Sequence, residues 1–210
     1  MIDLFSKTPY DEHSYDQLKE ICSSCQNCGL HSTRTNVVVG SGKVPSNLMI
    51  IGEGPGEQED LQGVPFVGKA GQLLTKILES AGINRETDAY IANVVKCRPP
   101  GNRTPLTPEI EACKPYLIRQ VQLVKPKVLI LLGSPSLKTI LEEPLPISKV
   151  RGNWYKAAVP YMEDPLYIMP MFHPSYLLRN QSREKGSPKW LTWQDILEVK
   201  AALDSYATPS

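Results

Sequence analysis

The alternation of apolar strands with amphipathic helices is the feature that most restricts how this chain can fold. Four short apolar runs are spaced along it: NLMII (47–51), AYIANVV (89–95), KVLILLG (127–133) and LYIMPMF (166–172). Runs that are apolar throughout are typical of strands buried on both faces of a sheet. The sequence therefore predicts an α/β fold with three layers, α/β/α, around a central, mostly parallel four-stranded sheet.

The segments between these strands carry the signals of helices. Apolar residues recur at helical spacing in KAGQLLTKILESA, and the TPEIEAC segment offers a capping threonine, an early proline and early acids. The predicted helices cover residues 15–24, 69–81, a stretch that begins after Thr107, the segment SPSLKTILE, and part of 187–204.

Length and composition favour one ordinary globular domain. A chain of 210 residues is long enough for one core, so we expect a single domain over residues 1–210. The net charge is +1, so any surface for nucleic acid must be local. No apolar run approaches the ~20 residues of a membrane span, and the polar N-terminus is unlike a signal peptide. We expect a cytoplasmic protein without membrane contact.

The five cysteines point to a bound metal centre. Three are spaced C-x2-C-x2-C, and the other two are C-x15-C; they are Cys22, Cys25, Cys28, Cys97 and Cys113. In a reducing compartment this spacing favours metal binding over disulfides. Four thiolates can hold either zinc or an iron–sulfur cluster, and spacing alone does not choose between them. Such a centre would tie down the N-terminal segment, residues 1–46.

Polar residues follow each predicted strand, and the carboxyl ends of parallel strands share one edge of the sheet. Glu53 follows the first strand in the segment GEGPGEQED, Asn93 lies in the second, Ser134 follows the third and His173 follows the fourth. The glycine-rich segment contains four carboxylates and no lysine, so it is not a simple phosphate-binding loop. The sequence predicts a binding site at this edge.

The segment HPSYLLRN suggests contact with nucleic acid. Leu177 and Leu178 either fold back into the core or act as an apolar wedge in a base stack, next to Arg179 for phosphate. Residues 173–190 also carry an excess of basic side chains, and two basic residues outside this range are candidates for the same patch. The basic residues are Arg179, Arg183, Lys185 and Lys189, with Lys149 and Arg151 as the additional candidates.

Several motifs together resemble one family. In order they are GEGPGEQED, GVPFVGKAGQLL, NVVKCRPPGNR, KVRGNWY and MFHPSYLLRNQSREKGSPKWLTW. Over about residues 25–204 the chain resembles the family 4, iron–sulfur uracil-DNA glycosylases of the uracil-DNA glycosylase superfamily. The resemblance implies a DNA repair enzyme that extrudes uracil from DNA and hydrolyses its N-glycosidic bond, releasing uracil and leaving an abasic site.

The resemblance assigns residues to base recognition. Gly54 lies beside the base and sugar, Phe66 stacks on the uracil, and Asn93 pairs with its polar edge. An amide can donate to O4 and accept from N3–H, a combination that cytosine does not match. Tyr155 and Tyr161 would suit an aromatic role by composition, but only Phe66 lies in the family motif.

The resemblance also assigns the chemistry and the cofactor. His173 stabilises negative charge on uracil O2. Gly54 stands where other superfamily members have Asp or Asn, so Glu53 is the candidate for stabilising the sugar cation or orienting water. The family holds a [4Fe–4S] cluster on four cysteines, which correspond here to Cys25, Cys28, Cys97 and Cys113 and leave Cys22 spare.

Two other functions remain open at this stage. One is a uracil-DNA binder that stays covalently attached, but the strings KRRIH and GEQPG that mark that branch are absent. The other is a non-catalytic iron–sulfur DNA-binding module, which would not need Phe66 or Asn93. We expect a monomer that acts on single- or double-stranded DNA.

Overall fold

The computed structural model describes residues 3–160 and 164–207. Its strands form one sheet with β2, β3, β4 and β6 mutually parallel at the centre and the short β1 and β5 antiparallel at the edges. The bounds are β1 Ser41–Gly42, β2 Leu48–Gly52, β3 Ala89–Asn93, β4 Val128–Leu132, β5 Tyr155–Ala157 and β6 Leu166–Met171. The order is β1-β3-β2-β4-β6-β5, so the four predicted strands are confirmed and the sheet is larger than four.

The five predicted helices are present, and three shorter ones were not predicted. The bounds are α1 Tyr15–Ser23, α2 Glu57–Gln62, α3 Lys69–Ser80, α4 Thr107–Val124, α5 Gly133–Leu141, α6 Ile147–Val150, α7 Pro174–Arg179 and α8 Pro188–Ala207. Short 3₁₀ turns cover Gly29–Ser32 and Pro100–Asn102. Among the described helices, none combines the length and apolar character needed to cross a membrane.

Each face of the sheet is covered by helices, which confirms the three layers. On one face, β-strand residues such as Met49 pack with Leu117 of α4 and with α5. On the other, Ile50 packs with Leu74 of α3 and Ile196 of α8. Successive residues of β2 thus point into different cores, as the period of two along a strand requires. All five residues of β2 are therefore buried.

The parallel strands bring their carboxyl ends to one edge of the sheet. Gly52 at the end of β2 lies opposite Asn93 at the end of β3. β4 and β6 run in the same direction beside them and end at Leu132 and Met171. The loops and helix N-termini that follow these strands build the candidate site.

Candidate active site

A pocket of about 300 Å³ opens beyond the ends of β2, β3 and β6. Glu53 and Gly54 follow β2, Asn93 ends β3, His173 follows β6, and Phe66 comes from the segment between α2 and α3. All five line the pocket. The structure therefore brings together every residue that the resemblance assigned to base recognition or catalysis.

Asn93 offers an unsatisfied polar atom to this pocket. The residue is 2 % exposed, and its Oδ1 has no hydrogen-bond partner within the described part of the chain. A buried amide oxygen without a partner costs free energy that a bound donor would recover. Its backbone carbonyl is occupied separately, accepting a 2.5 Å hydrogen bond from the buried Lys96 Nζ.

Phe66 is held in an unusual backbone conformation by its surroundings. Its φ is 53°, a value that few residues other than glycine adopt. Arg85 donates from Nη1 to the Phe66 carbonyl at 2.7 Å. A Cβ on Gly71 would lie 1.9 Å from the Phe66 carbonyl carbon, and one on Gly52 would lie 2.6 Å from its ring and 2.5 Å from Asn93 Oδ1. These two glycines let the ring and the amide approach each other at the pocket.

Glu59 joins the glycine-rich loop to the Phe66 segment. Its carboxylate accepts from the Gly56 N–H at 3.1 Å and from the Val67 N–H at 2.9 Å. The neighbouring Asp60 is buried and accepts from the Thr35 N–H at 2.9 Å. Two of the four loop acids therefore satisfy backbone donors. The sequence analysis gave neither a role, although the spacing of three between Gly56 and Glu59 is a capping signal.

His173 is neutral, and its free nitrogen is a donor. The ring caps α7, with Nδ1 accepting the Ser175 N–H at 3.1 Å and lying 2.8 Å from the Ser175 hydroxyl. Because a backbone N–H can only donate, the neutral ring carries its proton on Nε2. Burial, reinforced by the charge of Arg179, lowers the pKa of His173 to about 4. The ring lies 5.7 Å from that of Phe66.

Glu53 is the carboxylate beside these groups. Burial raises its pKa above the ordinary value of 4.5, and a hydrogen bond with the Thr104 side chain acts in the opposite direction. Glu53 lines both the pocket and an adjoining groove that contains Ser134, His173 and Arg179. The site thus combines a carboxylate, a neutral imidazole, an amide and an aromatic ring.

Helix α7 corrects part of the prediction for HPSYLLRN. Leu177 is 1 % exposed, so it belongs to the protein interior and not to a wedge at the surface. Leu178 is half-buried and Arg179 is exposed at the end of the helix. Of the three residues predicted to contact DNA, Leu178 and Arg179 are therefore placed to reach a ligand outside the protein.

The wider basic patch also differs from the prediction. Arg151 forms an ion pair with the buried Asp195, so its charge is used inside the protein. Lys149 and Arg183 are exposed. Of the alternative aromatic residues, Tyr155 donates to Glu143 Oε2 at 3.1 Å and does not line the pocket. Tyr161 lies outside the described residues.

The five cysteines line one small cavity behind the site. All are free thiols, and the residues around them include Arg34 and Lys96. Arg34 Nη1 donates to Cys97 Sγ at 3.3 Å. Burial raises the pKa of Cys22 to about 12 and that of Cys113 to about 11. In the part of the chain that is described, no set of three His, Cys, Asp or Glu side chains is arranged to hold a metal ion.

The chemistry around the cavity fits a thiolate-bound centre. Lys96 is 1 % exposed, and burial lowers its pKa to about 8 while the neighbouring cysteines act to raise it. A buried cation is costly unless it is paired. Thiolates on a metal centre would supply the negative charge that faces Lys96 and Arg34.

The fold and the pocket define an α/β protein with a mostly parallel sheet and, at its carboxyl edge, a pocket lined by an amide, an aromatic ring and an imidazole. A sequence model described as "Uracil DNA glycosylase superfamily" matches residues 39–197. The chain belongs to the uracil-DNA glycosylase superfamily.

Curated relatives agree with this membership. A "Type-4 uracil-DNA glycosylase" of Thermotoga maritima is 46% identical over 197 residues, covering 90% of this chain and 96% of the relative. Proteins of the same description from Sulfurisphaera tokodaii and Archaeoglobus fulgidus are 44% and 42% identical over 177 residues. Each match covers 82% of this chain, with 79% and 87% of the respective relative.

Proposed function

We propose that this chain is a DNA repair uracil-DNA glycosylase, one domain that extrudes uracil from DNA and hydrolyses its N-glycosidic bond. The observation that carries the proposal is the pocket itself. It joins the unpartnered Asn93 oxygen, the Phe66 ring, the His173 donor and the Glu53 carboxylate in one space of about 300 Å³. The relatives named type-4 uracil-DNA glycosylases support it.

Asn93 and Phe66 recognise the base. Uracil stacks on the Phe66 ring, Asn93 Oδ1 accepts from N3–H, and the amide nitrogen donates to O4. With the amide in this orientation, cytosine would present its N3 acceptor to Oδ1 and its C4 amine to the amide nitrogen, so both hydrogen bonds would be lost. Gly54 lines the same pocket without a side chain and leaves room for the sugar beside Glu53.

His173 and Glu53 assist the bond cleavage. As the C1′–N1 bond breaks, its electron pair moves onto uracil, and the His173 Nε2–H stabilises the charge at O2. Glu53 stabilises the cationic sugar and orients the water that adds to C1′. The water adds its oxygen to C1′, and the proton that it loses neutralises the uracil anion, so the products are neutral uracil and an abasic site.

Leu178 and Arg179 support extrusion from duplex DNA. Leu178 fills the space that the flipped nucleotide leaves, and Arg179 contacts a phosphate. Both belong to α7, the helix capped by His173. The protein acts as a monomer on single- or double-stranded DNA.

The cysteine cavity holds a [4Fe–4S] cluster through Cys25, Cys28, Cys97 and Cys113. When bound, the cluster ties the N-terminal segment, residues 1–46, to the segment that follows β3 and to α4. The five free thiols are consistent with the reducing cytoplasm in which we place the protein. Cys22 lines the same cavity but is not needed as a ligand.

The release of free uracil from a uracil-containing oligonucleotide tests the proposed function. A glycosylase releases many uracil molecules per protein and leaves alkali-labile abasic sites. A covalent binder would give one protein–DNA adduct that survives denaturation, and a non-catalytic module would give neither product. A matched thymine-containing oligonucleotide serves as the control.

A further inference from the structure

A second groove, of about 440 Å³, lies between α3, α7 and α8 and outside the pocket. Its floor and walls are largely apolar, and its rim is basic. The residues that define this α3–α8 groove are Leu73, Lys76 and Ile77 of α3, Arg183, and Trp190 and Trp193 of α8. None of them takes part in the chemistry proposed above.

Several side chains of the groove are exposed to solvent and lack partners within the described part of the chain. Trp193 is 48 % exposed although indole rings are normally covered. Lys76 and Arg183 are exposed and make no hydrogen bond or ion pair with any other described residue. Lys189, the third cation of the lining, bonds Gln181. Among the described residues that line the groove, none is a carboxylate, so the groove is complementary to a negatively charged ligand.

The groove is continuous with the proposed DNA-binding edge. Ala70, in the first turn of α3, lines the active-site pocket, and Leu73 lines the groove about one helical turn further along. Likewise α7 begins after His173 and contributes Leu177 to the groove. A strand that passes the pocket would therefore meet the groove within a few nucleotides.

We propose that the α3–α8 groove binds a single-stranded part of the uracil-containing strand that flanks the lesion. A base stacks on the exposed face of Trp193, and Lys76 and Arg183 contact the phosphates on either side of it. This inference rests on the proposed function and assigns a second DNA contact to the same protein.

The exposed Trp193 indole in a groove with basic side chains favours single-stranded DNA over other occupants. Stacked duplex bases do not expose their faces, whereas each base of a single strand has a face to offer. The groove therefore predicts stronger binding of single-stranded flanks than of paired flanks.

The test measures affinity for single-stranded oligonucleotides whose flanks are lengthened in steps on the 5′ or the 3′ side of uracil. Each oligonucleotide carries a non-hydrolysable uracil nucleotide for binding, and a cleavable counterpart is used for uracil release. The wild type should gain affinity when one flank becomes long enough to reach the groove. For oligonucleotides with that longer flank, Trp193→Ala should bind about tenfold more weakly than the wild type, which is the effect of losing one stacked base.

Matched variants separate the groove from general surface effects. Leu197 is 37 % exposed on the same helix but does not line the groove, so Leu197→Ala should bind every oligonucleotide as the wild type does. Lys76→Ala should reduce the slope of log affinity against log salt by about 0.7, as expected for one phosphate of a single strand. Lys43→Ala, at the β1 edge of the sheet, should leave that slope unchanged.

Uracil release from the shortest oligonucleotide keeps the two proposals apart. The Trp193→Ala variant should release uracil from it at the wild-type rate, since no flank reaches the groove. If the wild type binds the oligonucleotides but releases no uracil from any of them, that result contradicts the proposed function and not the groove. If Trp193→Ala and Lys76→Ala bind oligonucleotides of every flank length as tightly as the wild type does, the groove is not a DNA site. The same result is expected if the groove binds a protein.

Discussion

At the scale of single residues, the unpartnered Asn93 oxygen makes base recognition testable. Asn93→Asp keeps the size of the side chain but replaces the donor to O4 with a negative charge. That charge would repel both O4 and the uracil anion that forms. We expect uracil release to fall by a factor on the order of 10⁴, as in polar sites that reject a mismatched ligand.

A control experiment must show that Asn93→Asp still folds and keeps its iron. The variant should still fold cooperatively and keep the iron content of the wild type, because the amide oxygen bonds no described residue, although the buried carboxylate should lower its melting temperature. Single-turnover uracil release and a thermal melt check these two expectations. Near-wild-type release would remove Asn93 from the site.

The pKa values of Glu53 and His173 predict the acid side of the pH profile. Burial raises the Glu53 pKa above 4.5, whereas His173, with a pKa near 4, stays neutral over the same range. Because Glu53 acts when ionised, kcat/KM should fall as the pH is lowered through a midpoint above 4.5. Glu53→Gln should lower kcat by about 10²- to 10³-fold and lose this dependence down to about pH 5.

A pH series of uracil release for both proteins provides the measurement. Asp60→Asn is not a suitable control, since Asp60 accepts structural hydrogen bonds. Glu57→Gln is better, because Glu57 is an exposed acid at the start of α2, 3.6 Å from Arg98 Nη1. An unchanged acid midpoint in Glu53→Gln would assign the titration to another group.

Residues at strand ends could be predicted from sequence, whereas those that position them could not. Asn93 and His173 were found because parallel strands share an edge. Arg85 holds Phe66 across a separation of 19 residues, and nothing local in the sequence marks that contact. Glu59 was seen as one more acid in a loop, because its partners Val67 and Gly68 lie eight and nine residues away.

At the scale of elements, the long periodic segments were predictable and the short ones were not. The central strands and α3, α4 and α8 carry enough apolar residues to define a period. β1 and β5 have only two and three residues, too few for alternation to be recognised. The six-residue α7 was not predicted, and its cap is the catalytic candidate His173.

Helix α7 places one leucine inside the protein and exposes part of the next, so the pair should respond differently to truncation. Leu177→Ala removes a buried side chain and should cost about 2–5 kcal/mol in the free energy of unfolding. Leu178→Ala should leave stability within about 1 kcal/mol. It should instead reduce uracil release from duplex DNA at least tenfold more than release from single strands.

Chemical denaturation and parallel assays on the two substrates distinguish these effects. Leu197→Ala, at an exposed apolar position of α8, controls for the loss of an exposed leucine. Equal losses on both substrates for Leu178→Ala would place Leu178 in the core with Leu177 and leave extrusion to Arg179.

At the scale of the whole molecule, the N-terminal segment is attached to α4 by hydrogen bonds, in addition to the attachment that we propose through the cysteine centre. Gln122 Nε2 donates to the Ser6 carbonyl at 2.9 Å, and Arg119 Nη2 donates to the His13 carbonyl at 2.7 Å. Gln120, fully buried, donates to the Val39 carbonyl at 2.7 Å. The segment should therefore remain near α4, but less tightly, when the cysteine centre is lost.

Single cysteine replacements test this arrangement, because metal binding and folding are coupled. Anaerobically purified wild type should be brown, with broad visible absorption, iron and sulfide. Cys25→Ala, Cys97→Ala and Cys113→Ala should each be colourless and melt about 10 °C lower or more. Cys22→Ala is the internal control: it removes a thiol from the same cavity, but the variant should keep its iron and its colour. Loss of iron in Cys22→Ala would make Cys22 a ligand in place of Cys25 or Cys28, and a colourless wild type with one zinc would replace the cluster with a single ion.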